Sequence, residues 1–341
     1  MSVATLVEIR QRRLRTRTAV VAGLTAGVVA AFAASLMVGN TFYGPVDVLR
    51  VVSGQAVDGA SFAVGDLRLP RATLAVLAGA SLGIAGVTFQ TMLRNPLAAP
   101  DIIGISAGSA TAAVVGIVAL GLSDTAVSFL ALAAGLGTAA AIYLLAHRNG
   151  FAGTRLILIG IGVAALLDSI TAYVLSRASE WDLQSAMQWL TGSLNGATWA
   201  SVAPLAVACA LLIPALLLLG RDLSALRLGD DTAAALGVRV RPTRLLLVLA
   251  AVGLLAFATA ASGPIAFVAF MAGPIAARVV GSGGSLLVPA ALTGALLVLV
   301  ADLVGQNAFD NRYPVGVVTG ALGAPFLLFL LVRVNRSGGS L

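Results

Sequence analysis

Few side chains in this 341-residue sequence are of the types that enzymes use for catalysis. All 21 basic residues are arginine, so the lysine with which a P-loop reaches nucleotide phosphates is missing. His147 is the only histidine and Cys209 the only cysteine, which excludes HExxH zinc sites, ordinary catalytic triads and an intrachain disulfide. Asp230 and Asp231 are adjacent, but no second acidic cluster is spaced to share a magnesium ion with them. The sequence therefore predicts no enzyme, no resident metal and no cofactor.

Two carboxylates lie inside apolar runs, where an ionised side chain is costly and is a functional candidate by default. Asp302 lies near the end of its predicted helix and is expected to meet water. Asp168 either lines a transport pathway or forms structural hydrogen bonds with Ser169 or Thr171.

The composition places the chain in a membrane. Hydrophobic residues make up 59% of the sequence and charged residues only 10%, whereas about a quarter of the residues in a soluble domain are charged. Mean hydropathy is +1.00. We predict an all-α polytopic membrane bundle of about ten transmembrane helices. The expected spans lie near residues 18–38, 70–93, 102–121, 126–146, 155–176, 201–220, 243–261, 264–281, 287–305 and 314–333.

The distribution of arginine predicts the orientation of this bundle. With ten spans, sixteen of the 21 arginines fall on one side, most of them within residues 10–17 and the 221–244 loop. Both termini are therefore expected in the cytoplasm, with 1–17 and 334–341 as tails around a transmembrane domain at 18–333. The alternative is a signal peptide, but the first apolar stretch exceeds the usual core of about 7–15 residues.

The most informative stretch begins where Arg68 and Arg71 flank Pro70. An apolar run of membrane length follows and ends at Arg94. Small residues fill its middle, which suits a helix packed closely by other helices rather than by lipid. The sequence thus predicts a buried central helix whose packing or pathway residues are Gly79, Gly83, Gly86, Gln90, Asn95 and Pro96.

Two connecting segments contain more structure than a simple loop requires. Residues 228–238 combine an N-cap at Asp230 or Asp231, an alanine-rich helical stretch and a stop at Gly237. This pattern predicts a short helix outside the bilayer, which is either a docking surface or an amphipathic turn on the lipid headgroups. All three tryptophans lie within residues 181–199, in either an interfacial belt or a contact to a ligand or partner.

Six ordered segments carry a family resemblance that spans nearly the whole chain. The most specific runs from R-L-P-R at Arg68 through R-N-P-L-A-A-P-D to Gly108. The others are Trp189–Asn195, Leu228–Val238, Ser262–Val268, Ala301–Val304 and Tyr313–Phe326. Together they resemble the FecCD family of permeases, the membrane subunits of ABC importers for ferric siderophores, heme and cobalamin.

The resemblance implies a type II ABC importer permease in a bacterial cytoplasmic membrane. It implies a second permease subunit, two cytoplasmic ATP-binding subunits, an extracytoplasmic substrate-binding protein and an iron chelate as substrate, with no nucleic-acid partner. The ATPase is expected to dock on Leu228, Gly229, Asp230, Asp231, Ala234, Leu236 and Gly237.

The resemblance also places the binding protein at Arg68 and Arg71. Some members of the family carry a third docking arginine near the position that Gln306 occupies in this sequence. Arg312, a few residues further on, is the expected substitute. The alternative for Arg68 and Arg71 is that they anchor a helix end at the membrane surface.

One departure from the family bears on the assembly. The A-P-H motif reads Ala272-Gly273-Pro274 here, so the histidine is missing and the proline is displaced by one residue. This variant resembles permeases that form half of an unlike pair, which favours a heterodimer over a homodimer. Heme or cobalamin is the alternative substrate, while an ion-coupled secondary transporter and a membrane enzyme are the alternative functions.

Overall fold

The computed structural model describes residues 3–98, 104–146, 153–281 and 284–336. These residues form α-helices that we number in chain order, together with two π-helical segments, Ser61–Arg68 before α3 and Val115–Ala119 after α4. The α-helices are α1 (Val3–Met37), α2 (Pro45–Val52), α3 (Leu69–Met92), α4 (Ile105–Val114), α5 (Asp124–Ala146), α6 (Gly153–Leu175), α7 (Glu180–Leu190), α8 (Trp199–Leu218), α9 (Gly220–Leu226), α10 (Asp230–Ala235), α11 (Val240–Ser262), α12 (Val268–Val280), α13 (Leu287–Asn307) and α14 (Val315–Arg336).

Ten of these helices correspond to the ten predicted spans. Eight are long and apolar enough to cross a membrane, and the shorter apolar helices Ile105–Ala119 and Val268–Val280 take the other two positions. The prediction of an all-α membrane bundle of about ten helices is therefore confirmed. His147 and residues 99–103 and 337–341 lie outside the described residues.

The predicted central helix, α3, lies in the middle of the bundle. Its most apolar window is 78% buried, whereas the corresponding windows of α1 and α6 are only 11% buried. Helices α8, α11, α12 and α13 pack around it. Pro70 is the second residue of α3, where the preceding segment passes from π-helical to α-helical hydrogen bonding.

Three glycines allow neighbouring backbones to touch α3. A Cβ atom added at Gly79, Gly83 or Gly86 would lie under 3.0 Å from a backbone oxygen, closer than real Cβ atoms approach. Membrane helices associate through such close packing, because burial from lipid gives little hydrophobic gain. The facing oxygens belong to Gly294 and Ala290 of α13 and Ala269 of α12.

The break between α11 and α12 turns inside the bundle rather than in a polar loop. Gly263 has φ of +69° and Phe267 has φ of +63°, a region that L side chains rarely adopt. The carbonyl oxygen of Ser262, at the end of α11, accepts a hydrogen bond of 2.8 Å from the amide of Ser193. This contact joins the break to the segment after α7, at the end of the bundle opposite α10.

Candidate functional site

The short helix α10 forms with its predicted stop but without its predicted cap. Its N-cap residue is Gly229, which offers no side-chain hydrogen bond, so the expectation of a cap at Asp230 or Asp231 is wrong. At the other end Gly237 has φ of +86°, and its amide donates to the carbonyl of Ala234 at 2.9 Å. The next amide donates to the carbonyl of Ala233 at 3.0 Å, which completes a Schellman motif.

One face of α10 is exposed. Ala233 is fully buried, whereas Ala234 and Ala235 are exposed. Leu228 and Leu236 flank the helix and are 63% and 64% exposed. Leu228 and Leu236 thus leave apolar side chains uncovered at both ends of this short helix.

Asp230 links α10 to two other elements. Nη2 of Arg244, on α11, lies 2.8 Å from Oδ1 of Asp230, and Nη2 of Arg94, just after α3, lies 3.9 Å from the same oxygen. The Arg244 side chain is only 10% exposed, against 52% for Arg94. Local sequence signals single out Asp230 but not these two arginines, because they lie in other elements.

The predicted residues Asn95 and Pro96 form the turn that ends α3. The amide of Asn95 donates to the carbonyl of Gln90 at 3.0 Å. The side-chain oxygen of Asn95 accepts a hydrogen bond of 2.9 Å from the amide of Leu97. This asparagine turn, with Arg94 at φ of +53°, ends the helical path of α3.

Gln90 meets α12 at the displaced proline. Pro274 lies inside α12 and has no amide hydrogen to donate to the carbonyl four residues earlier, which is that of Phe270. Nε2 of Gln90 donates to this carbonyl at 3.0 Å. A Cβ at Gly273 would collide with Oε1 of Gln90. Pro274 therefore leaves a carbonyl that needs a donor, and Gly273 leaves the space in which the Gln90 side chain reaches it.

At the α7 end of the bundle, Arg71 binds Asp302. Nη2 and Nε of Arg71 donate to the two carboxylate oxygens at 2.6 and 2.8 Å, and Nη1 donates to Oδ1 of Asn195 at 2.7 Å. Asp302 is only 5% exposed, so the expectation that it meets water is wrong. The paired arginine from α3 explains how this carboxylate is tolerated inside the bundle.

The other two predicted docking arginines also contact their own chain. Arg68 donates to the carbonyls of Leu36 and Met37 at the end of α1, at 2.9 and 3.0 Å, and its guanidinium lies 5.1 Å from the Tyr43 ring centroid. Arg312 is exposed and donates to Asn40. Docking through these arginines stays a prediction.

Asp168 lies on the exposed side of α6. The hydroxyl of Ser169 donates to the carbonyl of Ala165 at 2.7 Å, and that of Thr171 to the carbonyl of Leu167 at 3.0 Å. Among the described residues the structure shows no hydrogen bond from either hydroxyl to Asp168. The structural alternative for this carboxylate therefore finds no support in the geometry.

Of the tryptophans, Trp189 is half-buried and packs on a small cluster formed by α4 and α5. Trp181 and Trp199 are 81% and 48% exposed, so they remain available to lipid or to a partner. In the described part of the chain, no three His, Cys, Asp or Glu side chains lie close enough to hold a metal ion.

Comparison with known proteins connects this geometry to a family. The chain matches the FecCD transport family over residues 27–333. It is 42% identical to the ferric enterobactin transport system permease protein FepG of Escherichia coli (strain K12), over 85% of this chain and 88% of that protein. It is 41% identical to the achromobactin transport system permease protein CbrC of Dickeya dadantii (strain 3937), over 90% of this chain and 89% of that protein.

A solved structure shows the same arrangement of helices. It is described as an inward-facing conformation of a metal-chelate type ABC transporter and matches with a TM-score of 0.82 and 29% identity. The match covers 93% of this chain and 99% of that one.

Proposed function

The chain belongs to the FecCD transport family, and we propose that it is one membrane subunit of an ABC importer for ferric siderophores. The family consists of transport permeases, so ATP is hydrolysed by partner chains rather than by this one. The substrate class is supported by two relatives, which are 42% and 41% identical to this chain and are named for the transport of ferric enterobactin and achromobactin. An extracytoplasmic binding protein delivers the chelate in this proposal.

The ATPase docks on α10. Support comes from the exposed alanines and the two flanking leucines, which form an apolar surface outside the predicted spans. The excess of arginine at this end of the bundle supports a cytoplasmic location. In this proposal the ATPase contacts the exposed side chains of Leu228, Ala234 and Leu236. The docking segment around them also contains Gly229, Asp230, Asp231 and Gly237, without a direct contact assigned to them.

The translocation pathway runs between this chain and a second permease subunit. The most apolar windows of α6 and α14 are only 11% and 22% buried within the chain. Asp168 lies on the exposed side of α6, where contact with lipid would be costly for a carboxylate. A water-filled path between two subunits removes that cost. The Gly273-Pro274 departure supports an unlike partner subunit.

The binding protein docks at the α7 end of the bundle. Arg312 is the most available of the three arginines there, since Arg68 and Arg71 already bind carbonyls and a carboxylate of their own chain. Exposed ion pairs of this kind contribute less to affinity than to the rate and orientation of encounter.

Uptake assays test this proposal. We expect cells that contain the chain, its ATPase and its binding protein to accumulate labelled ferric siderophore rather than heme or cobalamin.

Arg312→Glu should slow uptake at low binding-protein concentration, because the encounter loses its steering charge. The matched control is Arg50→Glu, an exposed arginine of α2 at the same end. Preference for heme or cobalamin would contradict the substrate class, and equal effects of both reversals would contradict the docking site.

A further inference from the structure

We propose that Asp230 is a positioning residue that couples α10 to α3 and α11, so that a displacement of α10 reaches the centre of the bundle. The inference rests on the proposed function in one respect, which is that α10 receives the ATPase. Its structural part, the attachment of α10 through one carboxylate, stands on contacts within this chain.

Helix α10 is short and buries few side chains of its own. It contains six residues, far fewer than the roughly 12–15 that an isolated helix needs to be even marginally stable in water. Of its side chains only that of Ala233 is buried. The helix packs on α9 but buries only one methyl group of its own, so polar contacts to α3 and α11 contribute to its position.

Asp230 supplies those contacts through a single oxygen. Oδ1 accepts a hydrogen bond of 2.8 Å from Arg244 and lies 3.9 Å from Nη2 of Arg94. The Arg244 side chain is 10% exposed and that of Asp230 is 45% exposed, so this ion pair is less screened by water than a pair of two fully exposed side chains. Arg94 is exposed and its pair is weaker.

The backbone around Asp230 keeps this arrangement compact. Gly229 precedes it with φ of +105°, and Nη1 of Arg94 lies 3.5 Å from the position that a Cβ of residue 229 would take. Arg94 itself follows the last turn of α3 and has φ of +53°. The end of the central helix therefore folds against the start of α10, with the carboxylate between two cations.

These contacts connect α10 to the closely packed part of α3. The middle of α3 carries Gly79, Gly83 and Gly86, where backbones of α12 and α13 lie in direct contact with it. Close packing transmits displacement rather than absorbing it. A shift of α10 that carries Asp230 along would pull on Arg94 and Arg244 and so on two helices of the core.

The test compares two adjacent aspartates. Asp231 has the same charge and lies in the same turn, but it is exposed and lies outside both ion pairs. Asp230→Ala and Asp231→Ala therefore remove equal charge near the same helix N-terminus, and only the first removes the link. Asp230→Glu keeps a carboxylate and should restore part of the function.

The first measurement uses the purified chain. A nitroxide on Ala235→Cys reports the motion of α10, and the single native cysteine, Cys209, is buried. We expect Asp230→Ala to shorten the rotational correlation time of the label at least about twofold. Asp231→Ala should leave that time unchanged. Arg94→Gln, a change at an exposed side chain, should raise mobility less and should add little to Asp230→Ala, as expected of one shared contact.

The second measurement uses the reconstituted transporter with its ATPase and binding protein. Asp230→Ala should retain the ATPase subunit but lower chelate uptake per ATP hydrolysed at least about fivefold, while Asp231→Ala stays within about twofold of wild type. Equal label mobility and equal uptake per ATP in the two variants would overturn the inference. ATPase binding by an Ala234→Glu variant as tight as that of the wild type would overturn the docking proposal instead, and the label measurement would still decide the link.

Discussion

At the residue scale, two polar side chains of α3 are each matched to one group on a neighbouring helix. Gln90 satisfies a carbonyl that Pro274 leaves free, and Arg71 neutralises the buried Asp302. Removing one member of such a pair leaves the other unsatisfied, which costs more than the pair itself contributes. Arg71→Glu would therefore bring two carboxylates together, and its effect on docking could not be separated from its effect on folding.

The match between Gln90 and Pro274 predicts a double-mutant result. Gln90→Leu should lower the stability of the detergent-purified chain by about 1–3 kcal/mol, because the Phe270 carbonyl loses its donor. In a Pro274→Ala background the new amide can donate to that carbonyl, so the same change should cost less than half as much. Thermal unfolding of the four proteins measures both costs. Equal costs in the two backgrounds would show that Gln90 acts through some other contact.

At the element scale, the structure shows which features of a helix its sequence predicts. The spans were predictable because apolar runs of membrane length have a composition of their own. The continuation of α1 back to Val3 and the short helices α2, α7 and α9 were not, because amphipathic or polar helices outside the bilayer lack that composition. The small-residue face of α3 could be predicted from its sequence. The backbones that pack on that face could not, because they belong to α12 and α13, which are distant in the chain.

Close packing of α3 predicts that its glycines tolerate no side chain. Gly86→Leu should force α12 away from α3 and lower the yield of monodisperse protein severely, since overpacking costs about 1–3 kcal/mol or more. Gly23→Leu is the matched control, because nothing lies within 4 Å of a Cβ at that position of α1. Size-exclusion profiles of both variants measure the outcome. Normal assembly of Gly86→Leu would contradict the packing described for the central helix.

At the scale of the whole molecule, the two ends of the bundle differ in how far sequence could describe them. The α10 surface was predictable, because Gly237 and the alanine run are local signals. The ion pairs of Asp230 and Asp302 were not, because each joins residues from separate helices that only the fold brings together. Asp302 illustrates the difference, since its burial depends on an arginine more than two hundred positions earlier.

We propose that this chain transports a ferric siderophore with energy from ATP hydrolysed in a partner chain. The most direct test is uptake of labelled ferric siderophore by proteoliposomes, with ATP supplied on the side of α10. We expect uptake only when the second permease subunit, the ATPase and the binding protein are all present, with no effect of ionophores. Accumulation by the chain alone, driven by a proton or sodium gradient and independent of ATP, would contradict it and indicate an ion-coupled secondary transporter.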